Sequence, residues 1–340
     1  MLRLLGILVT VLYAIAAAVT VWPQFFHLER TFPFAQLVSF RGAMLAGFLA
    51  LALLAALFAL IRPLRGFAAS ILIVSLLAAG ATGLIGFTRG FGAGGLPEKA
   101  DTSIRVMTWN TNGEAASAEV IARTALEQQA DIVTLPETAE GVGEQIAVLM
   151  RESGHPMWVH NVNIRPDVPN GPQAWQTTVL ISPRLGDYSV IESSADGSSN
   201  TGAVPSVVAM PIDGEGPIVV AVHAVAPRES AMSQWESDLR WIADQCPSGN
   251  VVLAGDFNAT IDHVAGLGTG DGDMGVCRDV ATRTGNGLAG TWPSALPILA
   301  GAPIDHIMAS PSWRASGSVV VQDAGGSDHR ALVAQLEPVG

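Results

Sequence analysis

The spacing of apolar residues changes once along this chain, near residue 100. Before that point, Leu4–Trp22, Ala43–Ile61 and Phe67–Phe87 are apolar runs with no charged residue inside them. Each is close to the roughly 20 residues that cross a bilayer core. A helix of that length buried in a soluble core would carry a polar stripe, and these carry none. The pattern predicts a membrane anchor over residues 1–87, with transmembrane helices near 4–22, 43–61 and 67–87. The small residues of Ala14–Ala18 leave a second reading open, in which the first run is a cleaved signal peptide and two spans remain. Thr88–Ser103, with Gly90, Gly92, Gly94, Gly95 and Pro97, reads as a linker, either a free tether or an ordered loop lying on the domain beyond it.

From residue 104 the apolar runs shorten and alternate. Ile104–Asn110, Asp131–Leu135, Thr177–Ser182, Val207–Ile212, Ile218–His223, Val251–Ala254, Pro303–Ala309, Ser318–Val321 and Ala331–Leu336 have the pattern of strands. Ala118–Gln129 and Gly143–Ser153 have helical spacing. Ser230–Cys246 is an amphipathic helix with Trp235, Leu239 and Ile242 on one side. Strands in runs with helices interspersed suit an α/β domain over 104–340, which is long enough for one large core. Pattern alone does not separate two packed sheets from one doubly wound sheet.

Polar groups recur at the ends of these strands. Val251-Val252-Leu253-Ala254-Gly255-Asp256-Phe257-Asn258 is an apolar run closing on a carboxylate and an amide two residues apart. Positions i and i+2 of an extended segment share a side, so Asp256 and Asn258 can address one ligand. Taken singly, Gly-Asp-x-Asn is equally a tight turn. The balance shifts because Asn110, Glu137 and the pair Asp328-His329 also stand at the ends of apolar runs. Repeated strand ends in Asn, Glu, Asp and His describe the rim of an active site.

Trp109-Asn110, Pro136-Glu137, Gly255-Asp256-Phe257-Asn258, Ile304-Asp305-His306 and Ser327-Asp328-His329 follow one another in an order that resembles the endonuclease/exonuclease/phosphatase superfamily. The resemblance covers residues 103–337 and is specific in combination. It implies a four-layer α-β-β-α sandwich, two packed mixed sheets flanked by helices, here preceded by about three transmembrane helices. It also implies phosphoester hydrolysis dependent on a divalent metal, Mg2+ with Mn2+ or Ca2+ as alternatives. A hard cation of this kind takes oxygen ligands and few protein carboxylates.

The resemblance carries over residue by residue. Glu137 is the expected direct metal ligand, Asn110 completes the metal shell or touches phosphate, and Asp328 lies next to the metal. Asp256 is expected to orient and deprotonate the attacking water, with Asn258 donating to a phosphate oxygen. His329 is expected on the phosphate opposite them, oriented by Asp305, and His223 is the expected second phosphate-facing histidine. His306, one residue from Asp305 on an extended run, faces the other side of the sheet and reads as structural. His155, His160 and His263 match nothing. Trp292-Pro293 and Trp175 either border the cleft or are aromatics packed on the surface. Asp271 and Asp273 lie in a Gly/Asp-rich loop without EF-hand spacing, which reads as a solvated loop more readily than a calcium site.

Charge narrows the substrate. Residues 101–340 hold 11 basic and 28 acidic side chains, a formal net of −17, and no lysine. Affinity for nucleic acid rests on Lys and Arg displacing counterions, so tight binding of a polyanion is not expected. Arg278, Arg283 and Arg330 are the arginines nearest the motifs. The expected activity is that of a membrane-anchored, extracytoplasmic phosphoesterase acting on a phosphomono- or phosphodiester, of a lipid head group or a small molecule. The alternatives are an extracellular or periplasmic nuclease of the same mechanism and, further off, a non-catalytic receptor on this fold. Orientation follows from Arg3 before the first run and Arg62 and Arg65 between the second and third, which belong inside. Arg30 and Arg41 in the first loop weaken that bias without reversing it. Cys246 and Cys277 then lie outside the cell membrane, where an even pair suggests a disulfide, two unrelated buried thiols being the alternative.

Overall fold

Period-two alternation becomes two six-stranded sheets in the computed structural model, which describes residues 2–92, 94–113, 115–168, 171–191 and 200–339. The chain begins with helices α1 (Leu2–Val21), α2 (Phe34–Ser39), α3 (Arg41–Ala59) and α4 (Arg65–Arg89). It continues through β1 (Ile104–Thr108), α5 (Ala118–Glu127), β2 (Ile132–Pro136), α6 (Glu140–Glu152), β3 (Trp158–Asn163), β4 (Gln176–Ile181) and β5 (Tyr188–Val190). Then come β6 (Val207–Pro211), β7 (Ile218–His223), α7 (Met232–Asp244), β8 (Val251–Asp256), β9 (Arg278–Asp279) and α8 (Val280–Arg283). Strands β10 (Asp305–Ala309), β11 (Trp313–Val320) and β12 (Leu332–Pro338) close the domain.

The strand orders are β11-β12-β1-β2-β4-β3 in the first sheet and β5-β6-β7-β8-β10-β9 in the second. Both are mixed, with β1–β2 and β7–β8 parallel and the other pairs antiparallel. Between the sheets lies one apolar seam that includes Ile104, Val106, Ile132, Val219, Ala221, Val252, Ala254, Ile307 and Leu332. The alternate positions of the same strands face helices. Met107, Val133 and Val333 pack with Ile121 of α5 and Ile146 of α6. Val220, Val222, Val251 and Leu253 pack with Trp235, Leu239 and Ile242 of α7. These are the expected four layers, α-β-β-α.

The pattern of hydrophobicity missed α2, β3, β5, β9 and α8. Strand β3 is a half-buried edge carrying His160, Asn161 and Asn163, so it shows no apolar alternation. Strands β5 and β9 span three and two residues, too short to set a period. Cys246 and Cys277 are joined as a disulfide that ties the end of α7 to the loop before β9.

Three of the first four helices are long and apolar enough to cross a membrane. Leu4, Ile7, Leu12, Leu53, Leu57, Leu77, Leu84 and Phe87 are exposed on them, a surface suited to lipid rather than water. Tyr13 Oη and Ser75 Oγ, 2.7 Å apart, pair α1 with α4. The residues after α4 lie along the domain and do not swing free of it. Gly92 N–H donates to Gly285, Leu288 N–H donates to Gly90, and Arg105 donates to Pro97 O. Gly90 has φ 87° and sits against the backbone of Gly285, where a Cβ would collide. Of this segment, Ala93 lies outside the described residues.

Candidate active site

Strand parity decides where the polar strand ends meet. On β8, Val252 and Ala254 face the seam between the sheets, and Asp256 continues that series at the strand's end. Pairing sets Asp256 opposite His223 on one side and opposite Asp305 on the other. Val219 and Ala221 precede His223 on the seam face, and Ile307 and Ala309 follow Asp305 on it. Three ionisable groups therefore sit side by side across the second sheet, all aimed between the layers. In the first sheet, β1 and β2 run parallel, so Asn110 and Glu137 leave the same edge. Strand β12 is antiparallel to β1, with Leu332 opposite Thr108, which returns His329 to that edge.

The eight expected residues meet there. Asn110 Nδ2 donates both to Glu137 Oε1 at 3.1 Å and to Asp256 Oδ2 at 3.0 Å. Its Oδ1 accepts from the Asn112 amide at 3.0 Å, which fixes the side-chain flip. Asp256 Oδ1 accepts from Asn258 N–H at 2.8 Å. His329 Nδ1 and Asp305 Oδ2 are 2.8 Å apart, and His329 Nε2 lies 3.8 Å from Asp256 Oδ2. His223 Nε2 lies 3.7 Å from Glu137 Oε1. Asp328 Oδ2 accepts from Trp292 Nε1 at 3.0 Å and lines the same cleft. Ser327 Oγ donates to Asn110 O and accepts from His329 N–H, tying the segment before β12 to the end of β1.

Glu137 and Asn258 have positive φ, 59° and 47°, a left-handed conformation uncommon for residues with a Cβ. Strain of this kind concentrates at functional sites, where packing over-determines the backbone. Both residues turn out of a strand there, which brings their side chains to the rim.

Burial and neighbouring charge set the protonation pattern. Burial, reinforced by the adjacent Asp305 carboxylate, pushes the Asp256 carboxyl up to about 7. Burial alone would lower the His329 imidazole, but Asp305 and then Asp256 overcome it and hold His329 up to about 10. Burial, with His329 nearby, pushes His223 down to about 3. One histidine is thus a fixed cation and the other a neutral ring within a single site. Among the described residues, Asp305 Oδ1 and His223 Nδ1 are buried without a partner, polar atoms of the site with bonding capacity unused.

The donor set fits a hard divalent cation. Glu137 Oε1 and Asp256 Oδ2 accept from the same Asn110 amide, which brings two carboxylates together, and oxygen donors suit such an ion. Among the described residues, the one group of three ionisable side chains with ligand atoms within 4.8 Å of one another is Asp256, Asp305 and His329. Within that group the Asp305–His329 hydrogen bond already occupies the histidine's Nδ1.

The geometry changes one expectation, the role of Asn258, and decides others that the sequence left open. Both amide hydrogens of Asn258 are engaged, with Ala224 O at 2.9 Å and Asp256 Oδ2 at 3.2 Å, so it braces Asp256 in this arrangement. None of Arg278, Arg283 and Arg330 lines the cleft. Arg278 and Arg283 reach Asp271, and the guanidinium of buried Arg330 donates to carbonyls of Gly290, Pro293, Ser294 and Leu296. Arg228 lines it instead, just beyond the strand that ends in His223. Trp292 borders the cleft, whereas Trp175 lies under Arg165, its ring centroid 5.7 Å from the guanidinium. His306 is structural, bonded to Asp279 and to Ala259 O.

The cleft, about 450 Å³, has one wall that no motif announced. Gln36, Ser39 and Phe40, from the loop between the first two membrane-length helices, line it together with Ala226, Pro227, Trp292, Ala302 and Ile304. That segment is short, lacks a period and precedes the domain by some sixty residues of sequence. The one hint was its flanking arginines. Arg41 and Arg89 both bind the buried Asp262 carboxylate, with contacts of 2.6–2.8 Å. Arg30 donates to His263 O and Ala265 O, and His263 Nε2 lies 2.9 Å from Ala35 O.

Fold and site together define a hydrolase of phosphate esters. A model of the Endonuclease/Exonuclease/phosphatase family matches residues 107–329, and the chain belongs to that family. Among solved structures, the chain is similar to an endonuclease/exonuclease/phosphatase from Beutenbergia cavernae, with 20% identity and a TM-score of 0.52 over 70% of this chain and 72% of that one. It is similar to a humanized TDP2 of D. rerio carrying 14 mutations, with 16% identity and a TM-score of 0.51 over 70% of this chain and 100% of that one. An endonuclease/exonuclease/phosphatase from Bacteroides vulgatus gives 16% identity and a TM-score of 0.50 over 70% and 100%. At these identities the likeness is one of fold. No curated protein matches the chain.

Proposed function

We propose that this chain is a membrane-anchored phosphoesterase, dependent on a divalent metal and facing away from the cytoplasm, that cleaves a phosphomono- or phosphodiester of a lipid head group or small molecule. The observation that carries the reading is the Asn110 amide bridging Glu137 and Asp256 beside the Asp305–His329 pair. Glu137 would hold the ion, with Asn110 and Asp328 beside it. A bound Mg2+ or Mn2+ would neutralise phosphate charge and lower the cost of charge on the leaving oxygen.

The chain's own residues supply the rest. Asp256, fixed by the Asn258 amide and Asn110, accepts a hydrogen bond from the attacking water and takes its proton. His329, held charged by Asp305, stabilises the negative charge that develops on the phosphoryl oxygens. His223, neutral and buried, offers a ring N–H to the same oxygens without adding charge. Asp305 keeps the charged His329 ring in one orientation, as a carboxylate does in other histidine pairs.

The charges near the membrane support the orientation. Arg41 and Arg89, at the domain ends of α3 and α4, are paired with Asp262, and Arg30 is paired with Glu29 and Glu236. Arg3, Arg62 and Arg65, at the opposite ends of the helices, have no such acidic partner among the described residues. The uncompensated positive charge favours that end for the cytoplasm. A nuclease reading gains nothing from the cleft, where Arg228 is the one basic side chain besides His329 among the described lining residues. The test is a substrate panel with the full chain in detergent or nanodiscs, supplied with Mg2+, Mn2+ or Ca2+. It spans plasmid DNA, nucleotides, phospholipids and inositol phosphates. Turnover of a lipid or small phosphoester is expected; preferential turnover of DNA would replace this reading with the nuclease one.

A further inference from the structure

We infer that the anchor loop is a specificity element, and that the cleft takes a phosphoester whose unreactive part is a membrane-embedded apolar chain. The inference rests on the phosphoesterase reading and adds the substrate class to it.

Position is the first argument. Ser39 and Phe40 line the cleft, and Arg41, the next residue, begins membrane-length helix α3. At about 1.5 Å rise per residue, the cleft wall lies within a few ångströms of where the span starts. The wall is held rigidly. Ala35 is fully buried beside the α7 core, Gln36 donates to Pro227 O, and the Arg41 and Arg89 guanidinium groups lock the helix ends to Asp262.

Surface chemistry is the second. Phe40 packs on Trp292 with ring centroids 6.2 Å apart, and the Trp292 indole donates to Asp328 in the site. An aromatic pair thus connects the anchor to the phosphate-binding floor. The loop from Trp292 to Ala302, both cleft residues, exposes Leu296 and Leu299 at 40% and 42%. Leu299 O lies against Gly42, the second residue of α3, where any Cβ would collide. Trp22, of a type enriched at membrane interfaces, is exposed in the α1–α2 connection together with the apolar Phe25, Phe26 and Phe32. The loop that joins two cleft residues therefore exposes leucines, one of them against the start of a membrane-length helix. Exposed apolar surface there suits an amphiphile held in the bilayer better than a water-soluble metabolite.

The experiment compares hexadecyl p-nitrophenyl phosphate with methyl p-nitrophenyl phosphate, and hexadecyl phosphate with ethyl phosphate, using the full chain in nanodiscs with Mg2+ or Mn2+. Wild type should favour the long-chain member by at least about tenfold in kcat/KM. That ratio should fall at least about fivefold in Phe40→Ala and in Leu296→Ser/Leu299→Ser, and be largely kept in Phe40→Trp. An unchanged ratio in both apolar-to-small variants, or a wild-type preference for the short esters, overturns the inference. Binding of hexadecylphosphonate, followed by calorimetry in the same nanodiscs, separates the two claims. Binding that weakens in Phe40→Ala without turnover of any ester supports the subsite while refuting the phosphoesterase reading. Binding indifferent to Phe40→Ala refutes the subsite whether or not esters are cleaved.

Discussion

The floor of the cleft and its anchor-side wall are built in opposite ways. The floor is made by strand ends, and its residues inherit their direction from period-two alternation that runs the length of each strand. Asp256, His223 and Asp305 are neighbours because β7, β8 and β10 are, and their aim between the sheets follows from Val219, Val252 and Ile307. The wall is made by a six-residue helix and Phe40, placed by ion pairs and carbonyl contacts across more than two hundred residues of sequence. A site of this kind divides chemistry from recognition: the part that must not move is in the sheets, and the part that selects is attached by a few strong contacts.

If that division holds, substitutions in the floor should remove chemistry while leaving the fold intact. Glu137→Gln is expected to abolish metal-dependent turnover with an unchanged circular dichroism spectrum; activity at saturating Mg2+ would show that the ion is held elsewhere. Asp256→Ala and His329→Ala should each lose on the order of 10³-fold in kcat, the scale seen when a positioned charge stabiliser is removed. Either variant within tenfold of wild type would move the reaction out of this seam.

Much of the floor was legible in the sequence because Asn110, Glu137, His223, Asp256 and His329 stand at the ends of apolar runs, while Asp305 was marked by the family resemblance. Parity even separated Asp305 from His306, which face opposite sides of β10. What the sequence did not reveal was anything that depends on contacts without period. Asn258, expected to donate to phosphate, has its amide committed to Asp256 and Ala224 O. Arg330, adjacent to His329, spends its guanidinium on loop carbonyls. The wall and Asp262 were invisible for the same reason, since a lone Asp in a Gly-rich loop gives no sign of the two arginines that reach it from the anchor.

The wall yields a stability prediction. Burial opposes ionisation of Asp262, but Arg89 and Arg41 outweigh it and hold its carboxyl below the usual carboxylate range. The stabilisation is therefore present above the ordinary value of about 4 and lost as pH falls through the lower folded value. Asp262→Ala leaves two guanidinium groups uncompensated and should cost about 3–5 kcal/mol. The loss should appear as a lower Tm and faster proteolysis of the α1–α2 connection. A Tm shift of less than a degree would mean that the anchor is not clamped there.

Smaller is the disulfide, which closes a loop of 31 residues. Cys246→Ser should cost about 2–4 kcal/mol under oxidising conditions and nearly nothing relative to wild type in excess reductant. An equal loss in both would assign the effect to packing. The smallest effect is spectroscopic. In metal-free protein at pH 7, imidazole nitrogen shifts should show His329 charged and His223 neutral. With His329 held up to about 10, its charged form contributes stability fully present below the ordinary value near 6.5 and lost as pH rises through about 10. Asp305→Asn should bring that alkaline loss to lower pH, and an unchanged His329 titration would deny Asp305 its orienting role.

The most direct test of the whole account is a calorimetric titration of Mn2+ into the metal-free full-length protein, repeated with Glu137→Gln. One ion bound by wild type and none by the variant, with hydrolysis of a phosphoester following the bound ion, is the predicted result. An ion bound equally by both proteins, or hydrolysis that proceeds without it, would contradict the claim that the strand ends of the two sheets assemble a single metal-dependent phosphoester site.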